Sequence, residues 1–307
     1  MVNKVTVLGS LNVDTILKIK RLPQPGETMA MEAKKNAGGG KGSNQAVAAS
    51  RLGAQTSFIG KVGNDENGRF MQEILTTAQV DTQYVSVSED KATGQAFILL
   101  QASGENSIII DGGSNQAITT DDIYQAQTKI EAADFLVTQF ETPLESATLA
   151  FEIAKKAGVT TILNPAPAQE APQTLLANVD LIAPNETEAE ILTGIKVVDA
   201  QSQHQAAKKL QAKGVKNVII TLGSRGAYYL TANQKEGLVP AFKVQAVDTT
   251  AAGDTFLGAL SSQLKPDFSN IEEAILFANQ ASALAVQKLG AVPSIPTFTE
   301  VSAQLNQ

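Results

Sequence analysis

The sequence predicts an α/β protein: a mostly parallel central sheet with helices on both faces, Rossmann-like in character, plus a small β-sheet lid. Three observations predict it. Short apolar, β-branched runs alternate with longer helical patterns through most of the chain. Several runs are apolar throughout rather than at every second residue, as expected of strands covered on both faces. Polar and glycine-rich clusters fall where the runs end, at Asn12 to Asp14, Glu141, Asn185 to Glu188, Gly223 to Gly226 and Asp248 to Asp254. Ligands of open α/β sheets gather at the carboxyl ends of strands, so these clusters point to one edge.

Val5 to Leu8 is the first buried strand, ending at Gly9-Ser10. Residues 16–20 alternate apolar and polar, which means one covered and one wet face. Pro23, Pro25 and Gly26 mark a turn, and polar residues 28–37 lead to Gly38-Gly-Gly-Lys-Gly-Ser-Asn-Gln45. An alanine-rich helix follows from Ala46 to Leu52, then a strand from Ser57 to Gly60. Gly63 to Gly68 opens a helix reaching about Ala78. Residues 95–100 and 107–110 read as strands which, with 16–20, make a second, locally antiparallel sheet. No linker sets this sheet apart. The chain 1–307 therefore reads as a single domain with a discontinuous lid drawn from about 12–40 and 93–112. Beyond residue 120 the expected rhythm is strictly βα. Strands cover Phe135 to Thr138, Thr160 to Leu163, Asp180 to Ala183 and Asn217 to Thr221; helices cover Leu144 to Ala157, a segment from Asn185, and 201–213. Val244 to Val247 reads as one more strand, passing through small residues into a helix that starts near Gly253.

Composition narrows the chemistry. The 307 residues are 43% hydrophobic, ample for a large core, and carry 24 basic against 31 acidic residues with no run of like charge. The net charge of −7 argues against a nucleic-acid or anionic-membrane surface. There is no Cys and one His, His204, on a glutamine-rich polar helix where it reads as a surface residue. Thiolate nucleophiles, disulfides, cysteine metal sites and histidine triads are excluded. The N-terminus enters a strand pattern without a signal-like segment, and no apolar run approaches membrane-spanning length, so a cytoplasmic protein is expected.

Each polar cluster has two readings. Small residues before Gly253 suit an anion at a helix start, and Asp254 on the first turn is either a base beside that anion or a complement to the helix dipole. Gly38 to Gly42 is neither a Walker A loop nor a dinucleotide fingerprint. It is a flexible turn before a helix, or backbone close to a small polar ligand with Lys41 and Asn44 adding contacts. Asn12 and Asp14 point the same way on an extended chain and suit paired sugar hydroxyls, or else they stabilise a turn. Asn185 and Glu188 have capping-box spacing; the alternative is a hard-metal site, with Glu188 on Mg²⁺ and Asn185 facing phosphate. Gly223 to Gly226 is a plain turn or lies against a nucleotide, and Arg225 reads as solvated. Thr249 and Thr250 suit a helix cap.

Ala37 to Gly53 and Asp248 to Leu260 resemble the two signatures of the ribokinase-like carbohydrate kinases. Further matching segments are Gly9 to Asp14, Pro25 to Thr28, Gln139 to Glu145, Leu163 to Ala168, Pro184 to Glu190 and Ile220 to Gly226, so the resemblance runs in order from about residue 5 to 296. It implies ATP-dependent phosphorylation of the ribose O5 hydroxyl. Asp254 would then be the catalytic base, with Ala251, Ala252 and Gly253 as the backbone anion hole. Asn12, Asp14, Gly39, Gly40, Lys41, Asn44 and Glu141 would hold the sugar. Asn185, Thr221, Gly223, Ser224, Arg225, Gly226, Gly253 and Asn279 would line the nucleotide, with Glu188 on Mg²⁺ directly or through water. Asp248, Thr250, Ala285, Lys288, Gly290 and Ser294 match a K⁺ site built mostly of carbonyl oxygens. Two departures stand out. Ala251-Ala252 is the form found in the ribose kinases of the family, and Asn279 replaces a His that some of them carry beside adenine. The resemblance also implies a homodimer through the lid, in keeping with apolar Phe97 and Leu99 on a small exposed sheet.

Overall fold

The computed structural model describes residues 2–306; Met1 and Gln307, the ends of the expected single domain, lie outside the described residues. The chain begins β1 (Lys4–Leu8), β2 (Asn12–Ile19), β3 (Ala33–Gly39), α1 (Lys41–Arg51), β4 (Gln55–Gly63), α2 (Glu66–Thr77), β5 (Asp81–Ser88), β6 (Gly94–Gln101) and β7 (Asn106–Asp111). It continues α3 (Thr120–Gln125), α4 (Gln127–Glu131), β8 (Phe135–Thr138), α5 (Leu144–Lys156), β9 (Thr160–Leu163), α6 (Gln173–Leu176), β10 (Leu181–Ile182), α7 (Glu186–Thr193), α8 (Ala200–Ala212) and β11 (Asn217–Thr221). The last elements are β12 (Ala227–Leu230), β13 (Glu236–Val239), α9 (Ala252–Gln263), α10 (Ile271–Ala285) and α11 (Phe298–Leu305).

The large sheet has strand order β13-β12-β11-β10-β9-β8-β1-β4-β5, parallel from β11 through β5. Successive residues feed opposite cores. Val5, Val7, Phe135 and Val137 join the cluster formed with α1, α2, α9, α10 and α11, whereas Leu8, Leu136, Leu163 and Ile220 join the one formed with α3 to α8. A strand with apolar partners on both faces has no wet side, hence the unbroken apolar runs. From β1 the chain passes to β4 on one side and, later, β8 takes the other side, so the strand order reverses at β1. The crevice at such a reversal is where ligands of this architecture bind.

Four expectations are corrected. Val244 to Val247 forms no strand: the edge position belongs to β13, and Val244 and Val247 are exposed, with no sheet face to cover. The rhythm beyond residue 120 is not strictly βα, because β11, β12 and β13 form an antiparallel meander. The lid sheet, order β3-β2-β6-β7, is antiparallel at β2–β3 and β6–β7 but parallel at β2–β6. A long crossover through α1, β4, α2 and β5 joins that last pair, which permits the parallel arrangement. Finally, α1 begins at Lys41, not Ala46, so the glycine-rich segment runs from the end of β3 through the N-cap Gly40 into the first turn of the helix. That turn packs on bare backbone: a Cβ on Gly42 would stand 2.5 Å from the Ser10 amide nitrogen.

Candidate active site

Ala251, the N-cap of α9, sits in the left-handed region at φ 59°, a strained position for a residue with a Cβ, and no side chain caps the helix. The first-turn amides therefore have no capping side chain and, as at every helix start, no intrahelical acceptor. Above Gly253 the space is open. A cavity of about 200 Å³ lies there, lined by Lys41, Asn164, Asn185, Glu188, Thr221 and the Ala251–Asp254 turn among others.

Asp254 is buried, and its two carboxylate oxygens are held from the neighbouring helix. Asn44 Nδ2 donates to Oδ2 at 3.0 Å and Gln45 Nε2 to Oδ1 at 2.9 Å. This needs α1 and α9 in close contact, and Gly258, one turn along from Asp254, permits it. Asn44 Oδ1 is buried with no partner, an acceptor awaiting a hydroxyl or amine.

On the lid side, Asn115 Nδ2 donates to Asn12 Oδ1 at 2.7 Å, which commits that oxygen and leaves the Asn12 amide nitrogen as its donor. Asp14 faces Gly39, whose missing Cβ makes room for the carboxylate. Burial, reinforced by Glu141 and Asp254, pushes the Asp14 carboxyl up to about 7. Gly40 has φ 92°, where a side chain would be strained. Glu141 accepts from the Lys41 amide at 2.9 Å and from Ser10 Oγ, pinning the turn between β3 and α1 to the end of β8. Burial works against the charge of Lys41, but Asp254, Glu141 and Glu188 outweigh it and hold the ammonium above its ordinary value.

The capping box at Asn185 is complete: Asn185 Oδ1 accepts from the Glu188 amide and Glu188 Oε2 from the Asn185 amide, each at 2.8 Å. Both residues also line the cavity, so capping does not remove them from the candidate site. Desolvation raises the Glu188 carboxyl, with Asp254 adding to it against the Asn185 bond and Lys41. Among the described residues, Glu188 Oε1 has no protein partner and no three His, Cys, Asp or Glu side chains gather as a metal cluster. This donor set fits Mg²⁺ held chiefly by substrate phosphates, since that ion keeps water and phosphate ligands readily.

Thr221 reaches the cavity; Gly223, Ser224, Arg225, Gly226 and Asn279 do not line it. Arg225 pairs with Glu186 on the surface. Asn279 spends its amide on the Val239 and Pro240 carbonyls at 3.1 Å each, tying α10 to the end of β13. Asp248 accepts from Thr250 N, Thr250 Oγ1 and Gly290 N at 2.9, 2.6 and 2.8 Å, and has no cationic side chain paired to it among the described residues. Burial pushes its carboxyl up, but the Thr250 and Gly290 bonds outweigh that and keep it below its ordinary value. An unpaired carboxylate in a carbonyl-bearing loop fits a monovalent cation. The ammonium of Lys288 turns to Glu300, leaving only its backbone for such an ion, whereas the Ser294 hydroxyl donates to the Ala291 carbonyl and keeps its oxygen lone pairs. His204 is a surface residue, paired with Glu236.

Gln45, Gln139, Asn164, Asn115 and Ser10 carried no expected role. The available signal was a Gln beside Asn44 in a helix rich in small residues. A larger groove, about 640 Å³, lies at the opposite edge around Asp180. There Lys155 and Lys216 already pair with Asp180, and the groove faces the amino ends of the strands, so the smaller cavity is the better site.

Among the described residues no helix is long and apolar enough to cross a membrane. A ribokinase of Staphylococcus aureus is 50% identical over 303 residues, 98% of this chain and 99% of that protein. A deoxyribokinase of Salmonella typhi is 36% identical over 303 residues, 98% of each. The structure of Arabidopsis thaliana ribokinase complexed with ribose and ATP matches with a TM-score of 0.93 at 34% identity, covering 100% of both chains. Residues 2–298 match the pfkB family carbohydrate kinase, and with this fold and this helix-start site the chain belongs to that family.

Proposed function

We propose that this chain transfers the γ-phosphate of ATP to O5 of D-ribose, giving D-ribose 5-phosphate and ADP. The observation that carries the reading is Asp254 held at both carboxylate oxygens at the foot of an uncapped, open helix start. Asp254 takes the O5 proton as O5 attacks the γ-phosphorus, and the bond to the β–γ bridging oxygen breaks, its electron pair leaving with ADP. The charge on the transferred group meets the helix-start amides, foremost that of Gly253, since the Ala252 amide already donates to the Thr249 carbonyl at 3.2 Å; phosphoryl transfer depends mainly on such positioning and charge stabilisation. Bound Mg²⁺ would neutralise charge on the ATP phosphates, with Glu188 as the residue holding it.

Asn12, Asp14, Gly39, Gly40, Lys41, Asn44 and Glu141 form the sugar side of this reading. The open Asn44 Oδ1 and the free donor of Asn12 supply complementary partners for hydroxyls. Asn185, Thr221, Gly223, Ser224, Arg225, Gly226 and Asn279 form the nucleotide side. There, the positions outside the cavity lining imply that the nucleotide extends past it along the β11–β12 turn. K⁺ bound at the Asp248 loop would brace the Ala251 turn from behind. The lid excludes water, which otherwise accepts phosphate, and joins two chains in a cytoplasmic homodimer.

The alternative is a kinase of the same family acting on another sugar or nucleoside; the deoxyribokinase relative makes 2-deoxyribose its sharpest form. An ADP-release assay over ribose, 2-deoxyribose, hexoses and nucleosides decides between them. Ribose is expected to give the highest kcat/KM, and a better substrate elsewhere in the panel would replace the assignment.

A further inference from the structure

Behind Asp254 lies a row of buried amides that the sugar and nucleotide contacts do not use. Gln139, at the end of β8, donates from Nε2 to Gln45 Oε1 at 2.7 Å. Gln45 spends both its N–H groups, one on Asp254 Oδ1 at 2.9 Å and one on Asn164 Oδ1 at 3.1 Å. Asn164, at the end of β9, donates in turn to the Ala183 carbonyl at 3.3 Å. Gln45, Gln139 and Asn164 are 1%, 0% and 8% exposed.

The sense of this row is fixed by groups that only accept. The Ala183 carbonyl commits the Asn164 nitrogen, so Asn164 presents oxygen to Gln45, and the carboxylate likewise demands the Gln45 nitrogen. The Gln45 oxygen must then face Gln139. That arrangement strands an acceptor: Gln139 Oε1 is buried with no partner. An amide network serving stability alone gains nothing from an orphaned oxygen. The orphan follows from the orientation that turns the Gln45 nitrogen to Asp254 and its oxygen to Gln139.

We propose that Gln45, oriented by Gln139 and Asn164, is a positioning residue that fixes the plane of the Asp254 carboxylate for proton abstraction. The proposal rests on the reading of Asp254 as base. Asn44 and Gln45 each hold one of its oxygens from α1, so the carboxylate is clamped at both atoms and cannot turn about its Cβ–Cγ bond. The clamp is referenced to the ends of β8, β9 and β10, the same strand ends that frame the cavity.

Gln45→Leu removes the donor to Oδ1 while keeping similar bulk. Its kcat is expected to fall about tenfold, the loss of a hydrogen bond to a charged group, while the ribose Kd from calorimetry stays within about threefold. In an Asp254→Asn background the same change is expected to alter the residual rate less than about twofold, because a residue acting through Asp254 has nothing left to act on. Gln139→Met leaves Gln45 in place but loosens it, with an expected loss in kcat of about threefold and the same unchanged ribose affinity. A full tenfold effect in the Asp254→Asn background, or a loss confined to KM, overturns the proposal. If Gln45→Leu fails to fold by circular dichroism, Gln139→Met decides, and wild-type kcat there overturns it. Near-wild-type turnover of Asp254→Asn alone would instead remove the base assignment, which keeps the two failures apart.

Discussion

Gly258 lies against the backbone of Gln45: a methyl group added to it would stand 2.7 Å from the Gln45 carbonyl oxygen and 2.7 Å from the Ala49 amide nitrogen. Both partners are backbone, so neither can swing aside. Gly258→Ala would gain up to about 1 kcal/mol of helix propensity but cost about 1–3 kcal/mol in overpacking. The expected result is a lower Tm and a kcat that falls more than ribose affinity, since α9 carries Asp254. A variant as stable and active as the parent would show that the helices have slack at this crossing.

Asp254→Asn keeps shape and removes the proposed base. Turnover is expected to drop by roughly 10²-fold or more, with ribose binding still measurable by calorimetry. Near-wild-type turnover would refute the assignment.

Asp14 is expected to make the proposed sugar pocket sensitive to pH. Its carboxyl titrates near 7 because burial, Glu141 and Asp254 all disfavour the charge. A raised carboxylate favours the folded state while protonated. Its contribution to stability is therefore largest below its ordinary value of 3.8 and is lost as pH rises through about 7. Ribose binding runs the other way, because the ionised carboxylate accepts two O–H bonds. Affinity is expected to weaken as pH falls below about 7, by at most about tenfold per unit, and to hold steady above it. Asp14→Asn should flatten that profile; a wild-type Kd independent of pH between 5.5 and 8 would count against the role.

The Asp248 loop predicts a salt preference. Activity in K⁺ is expected to exceed that in Na⁺ at equal ionic strength, and Asp248→Ala should erase the difference and lower kcat by loosening Ala251. Equal rates in the two salts would leave the loop a purely structural tie.

Strand β7 predicts the assembly. Ile108, Ile109 and Ile110 are 53%, 62% and 55% exposed on an edge strand, a combination that proteins seldom leave bare. Light scattering is expected to give twice the chain mass, and Ile108→Glu with Ile110→Glu to give one. A monomeric parent would end this reading.

The parallel strands were legible because each apolar run serves two cores, as Val5, Val7 and Leu8 illustrate. Asp254, Asp14 and Lys41 were legible as candidates because small residues and charges break those runs at strand ends. The β12–β13 hairpin escaped because Ala227 to Leu230 reads equally as part of a helix or a strand. Lys41 to Gln45 escaped as helix because Gly42, Ser43 and Asn44 carry poor helix propensity; packing on Gly9 and Ser10 overrides it. Gln45 and Gln139 escaped for a different reason. Nothing in sequence marks two glutamines 94 residues apart as neighbours, and only the meeting of α1 with the end of β8 makes them so.

Strand β2 begins at Asn12 and pairs it with Gly39 at the end of β3, so three residues of the proposed sugar side, Asn12, Asp14 and Gly39, are themselves part of the lid sheet. No hinge stands between the hydroxyl contacts and the strands that cover them. Sugar occupancy and lid posture thus share one coordinate, and linkage makes their influence reciprocal. If a partner chain binds at β7, the factor by which it changes ribose affinity must equal the factor by which ribose changes the partner's affinity, so the proposed dimer contact would act as a remote dial on the pocket.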